Sequence, residues 1–101
     1  MALAMLAEIP DLTRQQYEAV VTTVNRAGGT PAGALLHAAG PSDSGYRIVE
    51  VWETREAADA FYGSELYRQA ITGAHLDTEP QIVMTWTVEG LDDGHGWRAL
   101  T

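Results

Sequence analysis

Residues 34–61 read ALLHAAGPSDSGYRIVEVWETREAADAF, and this stretch decides the fold. Residues 46–53 within it are rich in β-branched and aromatic side chains, which is typical of a strand. The Pro-Ser-Asp-Ser-Gly run at 41–45 is a dense turn signal, so residues 34–40 are predicted to form the first strand of a hairpin. Thr54 can cap a helix that begins directly after the second strand. The stretch therefore predicts strand, turn, strand and helix in succession.

The flanking sequence adds three further elements. Residues 2–9 form an apolar run with the length of a strand. Thr13 and Gln16 make a capping-box pattern, so a first helix is expected to begin there and to end at the glycines of residues 28–29. Residues 81–88, QIVMTWTV, predict a fourth strand. The order β-α-β-β-α-β is that of the ferredoxin-like fold, an α+β architecture with one four-stranded antiparallel sheet and both helices on one face.

The chain length allows a single domain. It has 101 residues, and the predicted elements occupy residues 1–90, which we expect to form one ferredoxin-like barrel domain. Residues 91–101 are rich in glycine and acidic residues and are expected to be a mobile C-terminal tail. Within the second helix, Gly63 and Ser64 predict a break, after which the helix continues to about Ile71.

Composition excludes several classes of function. Fourteen acidic residues against six basic ones give a formal net charge of -8, so nucleic acid is not an expected partner. The absence of cysteine excludes thiolate nucleophiles and Cys-type zinc sites, and the absence of lysine excludes a Schiff base. The three histidines show no metal-ligand spacing, so no metal and no cofactor are expected. No apolar run could span a bilayer, and the N-terminus has no basic leader region, so we expect a cytoplasmic protein without a membrane partner.

Both faces of the predicted sheet are mostly apolar, whereas two helices can cover only one face. The uncovered face would exceed the apolar patch of a typical monomer, on the order of 300–600 Å². We therefore expect a homodimer in which two sheets stack around an apolar interior. The alternative is a tail that folds back over the sheet, but Gly94-His95-Gly96-Trp97 offers little apolar area for that purpose.

Strand parity groups five candidate site residues on one face of the hairpin: Leu35, His37, Ile48, Glu50 and Trp52. With residues 41–44 as the loop, His37 lies opposite Ile48, and Leu35 lies opposite Glu50. Such a grouping brings an imidazole and a carboxylate into one apolar environment.

Val49 and Val51 take the other face of the hairpin. They suit Phe61 and the valine stripe of the first helix, so we expect them on the helix side. His37 and Glu50 are then predicted to lie on the helix-free face, inside the dimer.

A carboxylate in an apolar cavity resists ionisation, so the pKa of Glu50 is expected to rise, while a nearby imidazole opposes that rise. In either case His37 and Glu50 are candidate catalytic residues that move protons near neutral pH. The structural alternative is that Glu50 pairs with Arg47 or another arginine and that His37 donates to a backbone carbonyl. Further residues are either core residues or candidates for substrate binding: Leu35, Ile48, Met84, Thr85 and Trp86.

Two segments carry a family resemblance, LLHAAG at residues 35–40 and GYRIVEVWETREAADAF at residues 45–61. Together they resemble the antibiotic biosynthesis monooxygenase-like proteins of the dimeric α/β barrel superfamily, and the architecture matches over about residues 1–90. The resemblance implies a homodimer with an apolar cavity in each subunit. Some members oxidise aromatic polyketides with oxygen and without metal or flavin. Relatives cyclise or rearrange similar intermediates, and others degrade haem.

The resemblance also bears on individual residues. In the oxygenases a strand tryptophan helps to hold the substrate, and Trp52 matches it. The asparagine that accompanies that tryptophan has no counterpart, because the same strand offers Ile48 and Glu50. The haem-degrading branch uses a histidine on the second helix, where this chain has Tyr62 and Tyr67, so haem is not expected.

Two classes of function remain open. The first is an enzyme of secondary metabolism, a cofactor-independent monooxygenase or an acid-base cyclase, acting on an apolar aromatic or polyketide-like substrate. His37 and Glu50 would then handle protons, and Trp52 would stack on the substrate. The second is a non-catalytic ligand-binding or structural homodimer, the latter with Leu35, Ile48 and Trp52 filling its interior. A cavity of about 300 Å³ or more with His37 exposed in it would favour a ligand site.

Overall fold

The computed structural model describes residues 1–100 of the chain. These residues form six strands and three helices in this order: β1 (Ala2–Pro10), α1 (Arg14–Arg26), β2 (Ala34–Pro41), β3 (Gly45–Trp52), α2 (Arg55–Tyr62), α3 (Glu65–Gly73), β4 (Gln81–Val88), β5 (Gly90–Asp92) and β6 (Trp97–Ala99). Strands β2, β3, β1 and β4 lie side by side in that order, and all neighbours are antiparallel. The predicted α+β, ferredoxin-like architecture is confirmed.

Side-chain caps set the helix boundaries. The Thr13 side chain accepts a hydrogen bond from the backbone N–H of Gln16, and the Gln16 side chain accepts one from the Thr13 N–H, both at 3.1 Å, so the predicted capping box is formed. The side chains of Thr54 and Ser64 cap α2 and α3 by accepting a hydrogen bond from the backbone N–H of Ala57 and of Tyr67, without the reciprocal bond of a capping box. The predicted break at Gly63 separates these two helices. Within the described part of the chain, no helix combines the length and the apolar character needed to cross a membrane.

The register of the β2–β3 hairpin differs from the prediction. His37 pairs with Glu50, two residues away from the predicted partner Ile48. The last pair before the turn is Pro41 with Tyr46, so the turn lies one residue later on both strands than we predicted. Because the two displacements add to an even number, His37, Ile48 and Glu50 keep the face that parity assigned to them. The register shifts once more between Ala34 and Leu36, so Ala34 pairs with Trp52 and parity does not extend through this irregularity.

The predicted position of that face relative to the helices is wrong. Tyr17 of α1 contacts His37, and Tyr62 of α2 contacts Glu50, so the face that carries this pair lies under the helices. Val51 lies on the opposite face, where it belongs to a buried cluster with alanines of β1. The cause is that both faces are apolar: parity separates the side chains into two groups, but it does not say which group meets the helices.

The helix-free face is covered in part by the end of the chain. Residues 90–99 form the β5–β6 hairpin, although we expected residues 91–101 to be a mobile tail, and Leu100 packs against the buried cluster around Val51. Met84 and Trp86 of the same face are 56% and 45% exposed. The tail therefore covers only one end of the helix-free face. The mobility of the tail and the domain boundary at residue 90 stay predictions.

Candidate active site

A cavity of about 720 Å³ lies between the sheet and the helices. Its lining is mostly apolar and comes from β1, β2, β3 and all three helices. The volume is far above the lower limit of about 300 Å³ for small-molecule sites. The side chains of Leu35, Ile48 and Trp52 lie in the wall and do not fill the interior, contrary to the structural alternative weighed from the sequence.

The spacing of residues along the elements explains why the lining is apolar. Met5, Ala7 and Ile9 alternate along β1 and therefore point to the same face. On α1, a stripe at helical spacing begins with Tyr17 and continues with three valines, of which Val20 is the first. The helix stripe faces the strand face across the cavity, and no residue of α1 is fully buried.

A chain of hydrogen bonds joins α1, β2 and β3 in the cavity wall. The Tyr17 hydroxyl lies 2.8 Å from His37 Nε2, and His37 Nδ1 lies 3.0 Å from Glu50 Oε2. A carboxylate can only accept, so Nδ1 carries the hydrogen of this contact. In the neutral ring Nε2 is then the acceptor, and the Tyr17 hydroxyl donates to it. The arrangement fixes one tautomer of His37 and makes Nε2 its basic atom.

Glu50 accepts two further hydrogen bonds at its other oxygen. The Trp52 indole N–H donates to Oε1 at 3.2 Å, and the Tyr62 hydroxyl donates to the same oxygen. Burial opposes ionisation of Glu50, but the hydrogen bonds from His37, Tyr62 and Trp52 together hold its pKa below the ordinary value. The expected rise in the pKa of Glu50 is therefore wrong, because the sequence did not reveal the two additional donors.

The structural alternative for this pair is also wrong in its details. Arg47 forms an ion pair with Glu8 at 2.9 Å and points away from Glu50. His37 contacts two side chains, those of Tyr17 and Glu50, instead of a backbone carbonyl. Glu50 thus stays an anion that orients the imidazole.

Three tyrosines complete the polar part of the cavity. Burial is the main cause that raises the pKa of Tyr17, and the nearby Tyr46 and Glu50 add to it. Burial and then the Glu50 carboxylate raise the pKa of Tyr62, so both phenols stay protonated at neutral pH and act as donors. Tyr67 packs beside Tyr62 with a ring-centroid distance of 4.9 Å. Within residues 1–100, the Tyr67 hydroxyl has no hydrogen-bond partner, so it is available to bind a ligand in the cavity.

Trp52 forms part of the wall and is only 2% exposed. Its ring packs against Phe61 and Tyr62 at centroid distances of 5.7 and 6.1 Å. Little ring surface is left for stacking on a substrate. The observed contacts are those of a core anchor whose N–H holds Glu50.

The structure brings together only some of the remaining candidates for substrate binding. Leu35 and Ile48 line the cavity. Met84 and Trp86 alternate with Thr85 and lie on the helix-free face, away from the cavity. Thr85 shares the helix-side face but does not belong to the lining.

Tyr17 and Tyr62 are the site residues that sequence reasoning missed. Neither belongs to the candidate site residues predicted from the sequence, because Tyr17 lies at helical spacing with the apolar stripe of α1 and Tyr62 lies on a helix next to Phe61. One signal was available, since Tyr17 is the only residue with a polar group in a stripe that is otherwise valine, and a phenol in such a position usually finds a partner.

Comparison with known proteins adds evidence at the level of the fold. No protein-family model and no curated protein matches the sequence. A solved structure from Caulobacter crescentus, provisionally named an antibiotic biosynthesis monooxygenase, is similar with a TM-score of 0.64 and 12% identity, over 86% of this chain and 89% of that chain. A protein from Chloroflexus aurantiacus with the same provisional name has a TM-score of 0.59 and 19% identity, over 95% of this chain and 98% of that chain. A protein from Deinococcus radiodurans with the same provisional name has a TM-score of 0.59 and 15% identity, over 95% of this chain and 100% of that chain. The chain thus has the ferredoxin-like fold of antibiotic biosynthesis monooxygenase-like proteins, which confirms the fold that the resemblance implied.

Proposed function

We propose that this protein is an enzyme that binds a small, largely apolar, aromatic or polyketide-like molecule in the cavity and removes a proton from it. The observation that carries the proposal is the Tyr17–His37–Glu50 chain of hydrogen bonds in the wall of an apolar cavity of about 720 Å³. A basic nitrogen with a fixed tautomer, next to a hydrophobic space of ligand size, is the arrangement that general-base catalysis requires.

The three residues have separate roles in the proposed proton transfer. The substrate gives its proton to the Tyr17 oxygen while the Tyr17 hydroxyl proton passes to His37 Nε2. The Glu50 carboxylate keeps the hydrogen bond to Nδ1 and stabilises the imidazolium that forms. Since Glu50 holds three hydrogen bonds and a lowered pKa, it is a positioning residue and does not take the proton itself.

The substrate anion formed in this way is electron-rich, and two reactions can follow. In a monooxygenation, molecular oxygen adds one oxygen atom to the substrate as a carbonyl, and the other leaves as water with two substrate hydrogens. In a cyclisation, the carbanion attacks a carbonyl carbon of the same molecule, the C=O π bond breaks, and the alkoxide that forms takes up the proton held by His37. Both begin with the same proton transfer, and the names of the structural neighbours support the first.

A binding protein without catalysis is the second candidate. It is favoured by the fact that His37 Nε2 already has a hydrogen-bond partner in Tyr17. The two candidates share the cavity and the ligand class, and they differ in whether the proton moves.

Exchange of an acidic C–H in D₂O under nitrogen measures the proton transfer alone. With anthrone as the probe, we expect the protein to accelerate exchange at the C–H next to the two rings, followed by NMR. His37→Gln should slow the catalysed exchange by about 100-fold or more, and Tyr17→Phe should slow it strongly as well, because each breaks the proton path. His95→Gln, which changes an exposed histidine outside the cavity, is the matched control.

Three outcomes separate the candidates. Binding of anthrone with no acceleration of exchange would favour the non-catalytic protein. Equal exchange rates in the wild type and His37→Gln would refute the assignment of the base. Admission of oxygen then distinguishes monooxygenation, in which one oxygen molecule is consumed per substrate, from a reaction that leaves oxygen untouched.

We further propose that the protein forms a homodimer through the uncovered part of the helix-free face. This surface carries exposed Met84 and Trp86 next to Leu6 and Val49 of the neighbouring strands. Exposed apolar side chains in one continuous area are typical of interaction sites. A second copy that stacks its own sheet on this face would bury them.

A further inference from the structure

The lining of the cavity carries charge of only one sign. Two carboxylates, those of Glu50 and Glu79, belong to the lining, and no arginine does, while the chain has no lysine at all. We propose that the cavity accepts neutral phenols and rejects ligands that carry a carboxylate, and that Glu79 is the residue that sets this specificity. The inference rests on the proposed function, because it names the ligand class of the same cavity.

The two carboxylates differ in how well their charges are compensated. Glu50 accepts hydrogen bonds from His37, Trp52 and Tyr62, so its negative charge is shared with three donors. Glu79 is exposed, and in the described part of the chain its side chain has no ion-pair or hydrogen-bond partner. Because the side chain is exposed, its charge is screened by solvent water. A bound ligand replaces some of this water, so the Glu79 charge acts on the ligand more directly than the Glu50 charge does.

Tyr67 shows that the charge of Glu79 reaches the polar end of the cavity. Its ring packs beside Tyr62, whose hydroxyl is bonded to Glu50. After burial, which is the main cause, Glu50 and Glu79 both act to raise the pKa of Tyr67. A ligand anion placed near the Tyr67 hydroxyl would therefore lie in the field of two carboxylates, with no cation in the lining to compensate for them.

This selection fits the direction of the proposed proton transfer. A phenol or an enolisable ketone enters without charge, which the acidic surface of a protein with net charge -8 permits. It becomes an anion only when His37 becomes a cation beside it, so the charge of the pair stays balanced. A free carboxylate would bring its negative charge into the cavity before any such partner exists.

Calorimetric titration with a matched pair of ligands tests the inference. The probes are 2-naphthol and 6-hydroxy-2-naphthoate at pH 7, which share the ring system and the phenol and differ in one carboxylate. We expect 2-naphthol to bind about tenfold tighter or more. Glu79→Gln should narrow this ratio by about threefold or more, by strengthening binding of the naphthoate while the affinity for 2-naphthol changes less than about twofold. Glu56→Gln, which removes an exposed charge of α2 outside the cavity, should leave the ratio unchanged.

The possible failures are distinguishable. If the naphthoate binds as tightly as 2-naphthol, or if Glu79→Gln leaves the ratio as it is, the inference is overturned while the proposed function stands. If neither probe binds, the proposed aromatic ligand site itself is refuted, and the inference is refuted with it.

Discussion

The carboxylate of Glu50 is the point at which three elements meet. Its hydrogen-bond donors come from β2, from β3 itself and from α2, in the side chains of His37, Trp52 and Tyr62. A buried carboxylate with one partner would be costly, whereas one with three donors is satisfied and stays ionised. The residue therefore serves the fold and the site together: it holds α2 against the sheet and fixes the orientation of the proposed base.

A second buried carboxylate, Glu8, has a structural role on the other face of the sheet. It accepts hydrogen bonds from the hydroxyls of Ser42 and Ser44 and from Arg47, and thereby ties β1 to the hairpin turn. The hydrogen bonds from Ser42, Ser44 and Arg47, in that order of importance, lower the pKa of Glu8 from 4.5 to about 2.

The lowered pKa of Glu8 predicts acid sensitivity with a definite sign. The folded state binds this proton less readily than the unfolded state, so the stabilisation is complete above pH 4.5 and is lost as the pH falls towards about 2. Urea unfolding should show that the wild type exceeds Glu8→Gln in unfolding free energy at pH 7, and that the difference shrinks by pH 2. A difference that does not depend on pH would contradict this role.

At the scale of single residues, the sequence predicted less of the site than of the fold. His37 and Glu50 could be grouped because they lie on adjacent strands, where alternation and pairing limit the possibilities. Tyr17 and Tyr62 could not be placed, because their contacts depend on how two helices sit on the sheet, which local spacing does not determine.

Among the elements, the β2–β3 hairpin shows what a turn signal can and cannot specify. Five consecutive residues at 41–45 all favour a turn, so the chain could reverse at either of two neighbouring positions. The structure pairs Pro41 with Tyr46, which retains the faces of His37 and Glu50 but makes these two residues partners. Parity was therefore predictable from the sequence, whereas register was not.

Gly45 shows a close approach of this hairpin to β1 that the sequence could not reveal. A Cβ atom at Gly45 would collide with the backbone carbonyl oxygen of Ile9 and would lie 2.7 Å from the backbone nitrogen of Asp11. A Cβ atom at Gly40, five residues earlier in the same hairpin, would meet nothing within 4 Å. The two glycines thus offer a matched pair for a test of packing.

We predict that Gly45→Ala lowers the unfolding free energy by about 1–3 kcal/mol or more, because rigid backbone atoms must move apart. Gly40→Ala should change it by less than about 1 kcal/mol, and the change is expected to be favourable, since alanine restricts the unfolded chain. Chemical denaturation of both variants measures the difference. Equal stabilities would show that β1 and the turn do not approach each other this closely.

For the whole molecule, the question that parity left open was which side of the sheet the helices cover. Both sides of β3 are apolar, with Ile48 and Trp52 on one side and Val49 and Val51 on the other. The helices take the side with the aromatic residue, where Phe61 packs on Trp52. The cavity consequently lies within one protomer, and the proposed dimer interface lies on the other side of the sheet.

Substitutions at neighbouring positions of β4 can test the proposed dimer. Met84 lies on the helix-free face and Thr85 on the helix side. Met84→Glu should shift the protein to a monomer in light scattering coupled to size exclusion, because each copy would bring a charge into an apolar contact. Thr85→Glu adds the same charge to the same strand and should leave the dimer intact. A wild type that is monomeric at micromolar concentration would refute the interface.

The cavity also links occupancy to folding. In most domains of this size, the space between sheet and helices is filled by side chains, whereas here the valines of α1 border a cavity of about 720 Å³. An apolar ligand would provide van der Waals contacts that the chain itself does not supply, and the fraction of folded protein would rise with the concentration of free ligand. A rise in melting temperature therefore reports ligand binding directly. A thermal screen of aromatic compounds can find the natural ligand without an assay for its conversion.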